Sequence, residues 1–414
     1  MEIRTITAGA READIERVAR AARLARERLE SAGYVVQTLR LALAMSGSNR
    51  CADFATVAQG AEQQAIDAGF DCVSIGRVDV ERLGRLAEGI AATQALFASA
   101  RIAGRDGIAD RAAIRAAAEA IVAIGAATKH GSGNLRFAAS ACVAPGSPFF
   151  PAAYHHGDAP WIAVGPEAAA LAVEAITDHR PPTTDYDRDD SLVVGRRSPA
   201  LSDGSPERSR RVEGSVVGSI LERMTNLIER HDAQIGTALK DVEAETGIFF
   251  AGCDWSLAPH PDPARSIGAA IEGLSGAPFG AWGTLAAVRG LTGAIRAARV
   301  TQLGFSGVML PVLEDSILAR RNAEGRYTLR DLLAFSAVCG AGLDTIPLPG
   351  DTSPEQIARV LEELAALAGA LRKPLTARLL PLPGLKAGDL TDFDRAGDPQ
   401  LAEYFCTTRV MRIE

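Results

Sequence analysis

TIPLPGDTSPEQIARVLEELAALAGALRKPLTARLL, residues 345–380, holds a short apolar run, a Pro-Gly-Asp turn, a long periodic segment and a second apolar run. The first run, 345–348, and the last, 376–380, have the length and flanks of buried strands. Between them, 354–370 repeats apolar residues at helical spacing behind Pro354 and Glu355, a helix-start signature. Asp351 and Thr352 read either as caps of that helix or as ligand contacts, and capping is the stronger reading. Strand, crossover helix, strand is the unit of a parallel sheet.

The same alternation runs outward to both ends. Strands are expected at 2–7, 34–43, 71–75, 136–143, 247–252 and 307–311. Helices are expected at 12–31, 52–69, 79–103, 108–124, 214–231, 234–245, 264–274, 284–298 and 328–339. Residues 178–211, rich in Pro, Ser, Asp and Arg and poor in large apolar side chains, read as a partly disordered insertion. It separates 1–177 from 212–414, expected to be two parts of one α/β fold.

Composition narrows the function classes. Hydrophobic residues make up 47% and charged ones 23%, enough for a substantial core. The formal net charge is −7, and arginines are interleaved with acids, so no nucleic-acid partner is expected. The N-terminal segment has no apolar core of a signal peptide, and no apolar stretch has the length of a membrane span. A cytoplasmic protein is the expectation, with Cys51, Cys72, Cys142, Cys253, Cys339 and Cys406 as free thiols.

Four segments carry reactive side chains where ligands gather in α/β folds. In GCDWSLAPHP (252–261), Cys253, Asp254, Ser256 and His260 combine thiol, carboxylate, hydroxyl and imidazole. Cys253, Asp254 and His260 read as groups that bind a metal or move protons and Ser256 as a substrate contact, with Asp254 and Ser256 as turn caps the alternative. In LPVLED (310–315), Glu314 or Asp315 serves as base or metal ligand; adjacent carboxylates on an extended backbone face opposite ways, so only one reaches a given pocket. The alternative is charge pairing with a helix N-terminus. In CGAGLD (339–344), Cys339 is a nucleophile or a buried apolar residue, and Asp344 a substrate contact. NLR (134–136) with PGSPFFPAAYHH (145–156) supplies Asn134 and Arg136 to hold substrate charge and His155 as acid/base. Asp254, Glu314 and His155 are the candidate ligands of a divalent metal.

These segments, with EIRTIT (2–7), GTLAA (283–287), SAVCGAGLD (336–344) and KAGD (386–389), resemble the uncharacterised UPF0210/DUF711 family. The resemblance covers most of the chain outside 178–211, and PGSPFFPAAYH is its most specific string. It implies a large α/β barrel like that of pyruvate formate-lyase-type glycyl radical enzymes, and a homodimer. A radical reaction through Cys339 is not expected, because YFCTTRVMRIE (404–414) contains no glycine. The expected function is an enzyme acting on a small polar, carboxylated metabolite by lyase, hydrolase or isomerase chemistry. The alternative is a non-catalytic protein that binds or senses such a metabolite.

Overall fold

A computed structural model describes residues 1–44, 53–177, 206–393 and 399–413. The first part contributes six strands: β1 (Glu2–Ala10), β2 (Val35–Leu43), β3 (Cys72–Arg77), β4 (Leu96–Ala103), β5 (Phe137–Ala141) and β6 (Trp161–Pro166). Between and after them lie α1 (Ile15–Ser31), α2 (Phe54–Asp67), α3 (Val80–Leu83), α4 (Leu86–Ala91), α5 (Arg111–Ala127) and α6 (Ala169–Thr177). The second part supplies α7 (Pro206–Thr246), β7 (Phe249–Cys253), α8 (Ile267–Ser275), α9 (Thr284–Ala297), α10 (Ser316–Ala323) and α11 (Leu329–Phe335). It ends with β8 (Gly342–Pro349), α12 (Pro354–Leu371), β9 (Leu375–Leu382) and α13 (Pro399–Tyr404).

All nine strands join one mixed α/β sheet in the order β7-β6-β1-β2-β3-β4-β5-β9-β8. Pairing is parallel except between β1 and β6 and between β5 and β9. Five central parallel strands, β1–β5, are therefore flanked by two parallel pairs, β7-β6 and β9-β8, that run the other way. The extended stretch 302–311 bridges both outer strands: Gln302 pairs with Cys253, Val308 with Leu257, and Pro311 with Asp344, all parallel.

Local chemistry explains the elements that were legible. Every residue of β8 and β9 is buried, because helices cover one side and the protein interior fills the other. Helix α12 starts at a capping box in which Ser353 and Gln356 exchange bonds. The cap is thus Ser353, not Asp351 or Thr352; the Thr352 hydroxyl turns back to the Pro349 carbonyl at 2.6 Å. Its stripe of Ile357, Leu361, Leu364 and Ala368 enters the core.

Four expectations change. Residues 79–103, read as one long helix, hold two short helices and then strand β4; Ala98, Ala100 and Ala103 favour helix intrinsically, but pairing with β3 and β5 and complete burial override that preference. The two helices at 214–231 and 234–245 are one, α7, since no Gly or Pro interrupts 231–234 and buried Met224, Ile228, Ile235, Leu239 and Val242 continue one stripe. α7 also begins at Pro206, inside the stretch assigned to the insertion; the remainder of that stretch, 178–205, lies outside the described residues. The stretch 307–311 makes isolated bridges rather than a strand.

The loop 144–158 runs against the inner side of the sheet. Its Pro148 carbonyl accepts from the Thr7 hydroxyl at 3.2 Å, and its Ala153 carbonyl from Ser74 at 2.7 Å. Phe149 packs edge-on against Phe305, and Phe150 against Phe97. Among the described residues, no helix is long and apolar enough to cross a membrane, and Cys72, Cys142, Cys253, Cys339 and Cys406 are free. Cys51 lies outside the described residues.

Candidate functional site

The residues of the 252–261 loop divide between two faces. Asp254 is buried and accepts from the Ser256 amide (3.1 Å), the Ser256 hydroxyl (2.6 Å), the Phe305 amide (3.1 Å) and the Ser306 amide (2.9 Å). Burial raises its pKa, while these four donors favour the charged form. The carboxylate thereby clamps 305–306 to the end of β7. Gly304 leaves room for it: a side chain there would begin 2.1 Å from Asp254 Oδ2. Cys253 belongs to the main core, where Ile235, Leu239 and Val242 of α7 also lie. Burial pushes its thiol pKa well up, and Asp232, which accepts from Trp255 Nε1, adds to the shift. His260 sits beside Arg265, 2.6 Å from its guanidinium.

Several other candidates hold the scaffold together. Arg136 donates to the Ile90 carbonyl (2.7 Å), the Leu96 carbonyl (3.4 Å) and the Thr93 hydroxyl (3.2 Å), tying α4 to the starts of β4 and β5. Asn134 donates to the Ile121 carbonyl at 2.9 Å. Cys339 is fully buried, its sulfur accepts from the Gly342 amide at 3.4 Å, and burial raises its pKa. His155 lies next to the end of β2, its Nε2 3.1 Å from the Gly157 carbonyl; burial lowers its pKa.

Glu314 and Asp315 separate, although residues 312–314 form a turn and not the extended backbone expected, and only Asp315 is itself extended. Asp315 caps α10 through the Ile317 and Leu318 amides at 3.1 Å, and accepts from Ser266 and the Ile267 amide at 2.8 Å. Glu314 meets Arg378 at 3.0 Å through Oε1. Arg378 Nε also bonds Asp344 Oδ1. Burial opposes the charge on Arg378, but Asp344 and Glu314 outweigh it and hold its pKa above the ordinary value. Burial raises the Asp344 pKa, and Arg378 pulls it back.

Arg378 lies 5.9 Å from the centre of the Phe149 ring, and Arg40 lies 5.4 Å from that of Phe150. Arg40 Nε donates to the Thr38 hydroxyl at 3.0 Å. Among the described residues its two terminal amino groups have no partner, although it stays partly accessible. Burial lowers its pKa; Cys72 opposes that, and the charges of Arg4 and Arg378 add to it. Arg4 reaches the Pro259 carbonyl at 3.3 Å. Asp344 Oδ2, fully buried, also lacks a partner. Three guanidiniums, two carboxylates and two aromatic rings thus lie in one polar cluster.

The structure brings Glu314 and Asp344 together on Arg378. Asp254 connects to this cluster through Phe305 and Phe149, while Cys253 and Cys339 lie in the main core. Sequence reading missed Arg4, Arg40 and Arg378. Their signal was an arginine inside an otherwise apolar strand, in VVQTLRLAL and LTARLLPL. Asp254, Glu314 and His155 form no metal cage: among the described residues, no group of three or more His, Cys, Asp or Glu side chains is placed to hold a metal ion.

A family model described as Uncharacterised ACR (DUF711) matches residues 1–395. The chain is 38% identical to a UPF0210 protein of Pyrobaculum arsenaticum over 157 residues, 37% of this chain and 35% of that one. It is 28% identical to a UPF0210 protein of Pyrobaculum aerophilum over 329 residues, 78% of this chain and 65% of the other. A Methanopyrus kandleri UPF0210 protein is 32% identical over 208 residues, 49% and 45% of the two chains. The chain thus spans from about a third to two thirds of these relatives' lengths.

Proposed function

The chain belongs to the DUF711 family, and on that premise we propose that it is an enzyme acting on a small carboxylated metabolite held in the Arg40 chamber. The supporting observation is Arg40 itself. A guanidinium drawn into the interior beside Arg4 and Arg378, with its terminal donors unmatched among the described residues, is stabilised by an incoming anion. A carboxylate fits its planar fork with two parallel bonds.

The chemistry that follows is proton transfer next to that carboxylate. Glu314 Oε1 is fixed by Arg378, while Oε2 has no partner among the described residues and is the proton acceptor. Arg378 stays protonated and offsets the negative charge that develops on the substrate. Phe149 and Phe150 wall the chamber with apolar surface. This step opens a lyase or isomerase reaction.

The same reading takes the sheet as a closed barrel of two antiparallel halves, with 302–311 as the tenth, irregular stave. The bridges to Cys253, Leu257 and Asp344 support closure, and a pyruvate formate-lyase-like barrel acting as a homodimer remains part of the proposal.

The test is a thermal-shift screen of carboxylic acids, with matched alcohols and amines as controls. A ligand at one hundred times its Kd stabilises the folded chain by about 2.7 kcal/mol. Arg40→Gln is expected to abolish the shift. Glu314→Gln is expected to keep it and to lose exchange of the substrate's neighbouring C–H with deuterium oxide. A shift that survives Arg40→Gln sinks the assignment; a bound acid that never exchanges or reacts in the wild-type chain makes this a metabolite-binding protein instead.

A further inference from the structure

We infer that Cys72 is a substrate-contacting residue of the Arg40 chamber, and that it selects acids carrying a hydroxyl or keto oxygen on the carbon beside the carboxylate. This rests on the chamber being a carboxylate site. Strand register carries the placement. Arg40 of β2 and Cys72 of β3 are paired residues on neighbouring parallel strands, so both side chains project from the same face. Cys72 packs in one cluster with Phe150, Ala153 and Trp161, and Phe150 is the ring over which Arg40 lies.

The thiol's state fits a donor rather than a nucleophile. Burial pushes its pKa up to about 11 against the opposing pull of Arg40, so it is a neutral S–H near pH 7. Among the described residues that S–H has no hydrogen-bond acceptor. The strand pairing sets neighbouring backbones about 4.8 Å apart. Arg40 lies over the Phe150 ring, Cys72 packs in that ring's cluster, and each of the two groups feels the other's charge, so a carboxylate on the Arg40 fork has the thiol as a neighbour. An oxygen on the carbon beside that carboxylate accepts from the thiol, whereas a methylene leaves the donor unmatched.

Lactate and propionate differ only in that oxygen, and their affinities for the full chain are measured by calorimetry. Because S–H is a weak donor, wild-type protein is expected to bind lactate roughly three- to tenfold more tightly. C72A should weaken lactate to the affinity of propionate, and C72S should keep the preference. A wild-type chain that binds both acids equally, or a preference that survives C72A, overturns the inference. Affinities for both acids unchanged in R40Q overturn the underlying chamber reading instead.

Discussion

Replacing Arg378 by methionine removes the cation that two interior carboxylates share while keeping much of the side chain's volume. Asp344 is 0% exposed and depends on Arg378 Nε, and Glu314 loses its 3.0 Å bond to Nη2. Breaking a buried ion pair from one side costs about 3–5 kcal/mol, because the remaining charge stays desolvated. The loss should depend on pH. Burial raises the folded-state pKa of Asp344, so its stabilising contribution is present when the carboxyl is protonated and is lost as pH rises through that value. Without Arg378 the folded pKa climbs further, so the gap to wild type narrows as pH falls from about 7 to about 5. Urea midpoints at both pH values, converted with the measured m-value, give the difference. Arg378→Met combined with Asp344→Leu should recover most of the loss, since an apolar pair replaces the ion pair. A single variant within about 1 kcal/mol of wild type at neutral pH, or one whose loss is equal at both pH values, refutes this account of the buried pair.

Two further outcomes follow from the scaffold. Asp254→Ala strips acceptors from three amides and one hydroxyl, and should destabilise the chain by about 3 kcal/mol in urea titration; a loss below about 1 kcal/mol removes Asp254 as the clamp of 305–306. His155 is buried with a lowered pKa, so the stability it contributes is present above about pH 6.5 and lost as pH falls through its folded value. His155→Gln should therefore flatten the decline in stability between about pH 7 and pH 5.5, and an unaltered slope contradicts that role.

That only one of Glu314 and Asp315 would reach a given pocket was legible in the sequence, and the structure puts one on Arg378 and the other at a helix N-terminus. The backbone that does this is a turn at 312–314, not the extended run expected, because the chain bends there into α10. Arg136 was singled out for its forked donors, and those donors are taken by local carbonyls. That assignment needed the path of α4, which has no signature in the NLR string. The arginines of the chamber were passed over because each strand was read for its apolar majority.

By itself the sequence determined most of the alternation of strands and helices, the apolar stripes of the long helices, and membership of the DUF711 family. Those features depend on neighbours a few residues apart, where spacing and turn chemistry suffice. Only the tertiary structure decided that β6 runs against β1 and β9 against β5, and that alanine-rich β4 is a strand. It alone put Arg378 between Glu314 and Asp344 and beside Phe149, and Arg40 beside Phe150. Burial and charge pairing are set by residues tens to hundreds of positions apart, and one strand's pattern shows its two faces without naming what stands opposite.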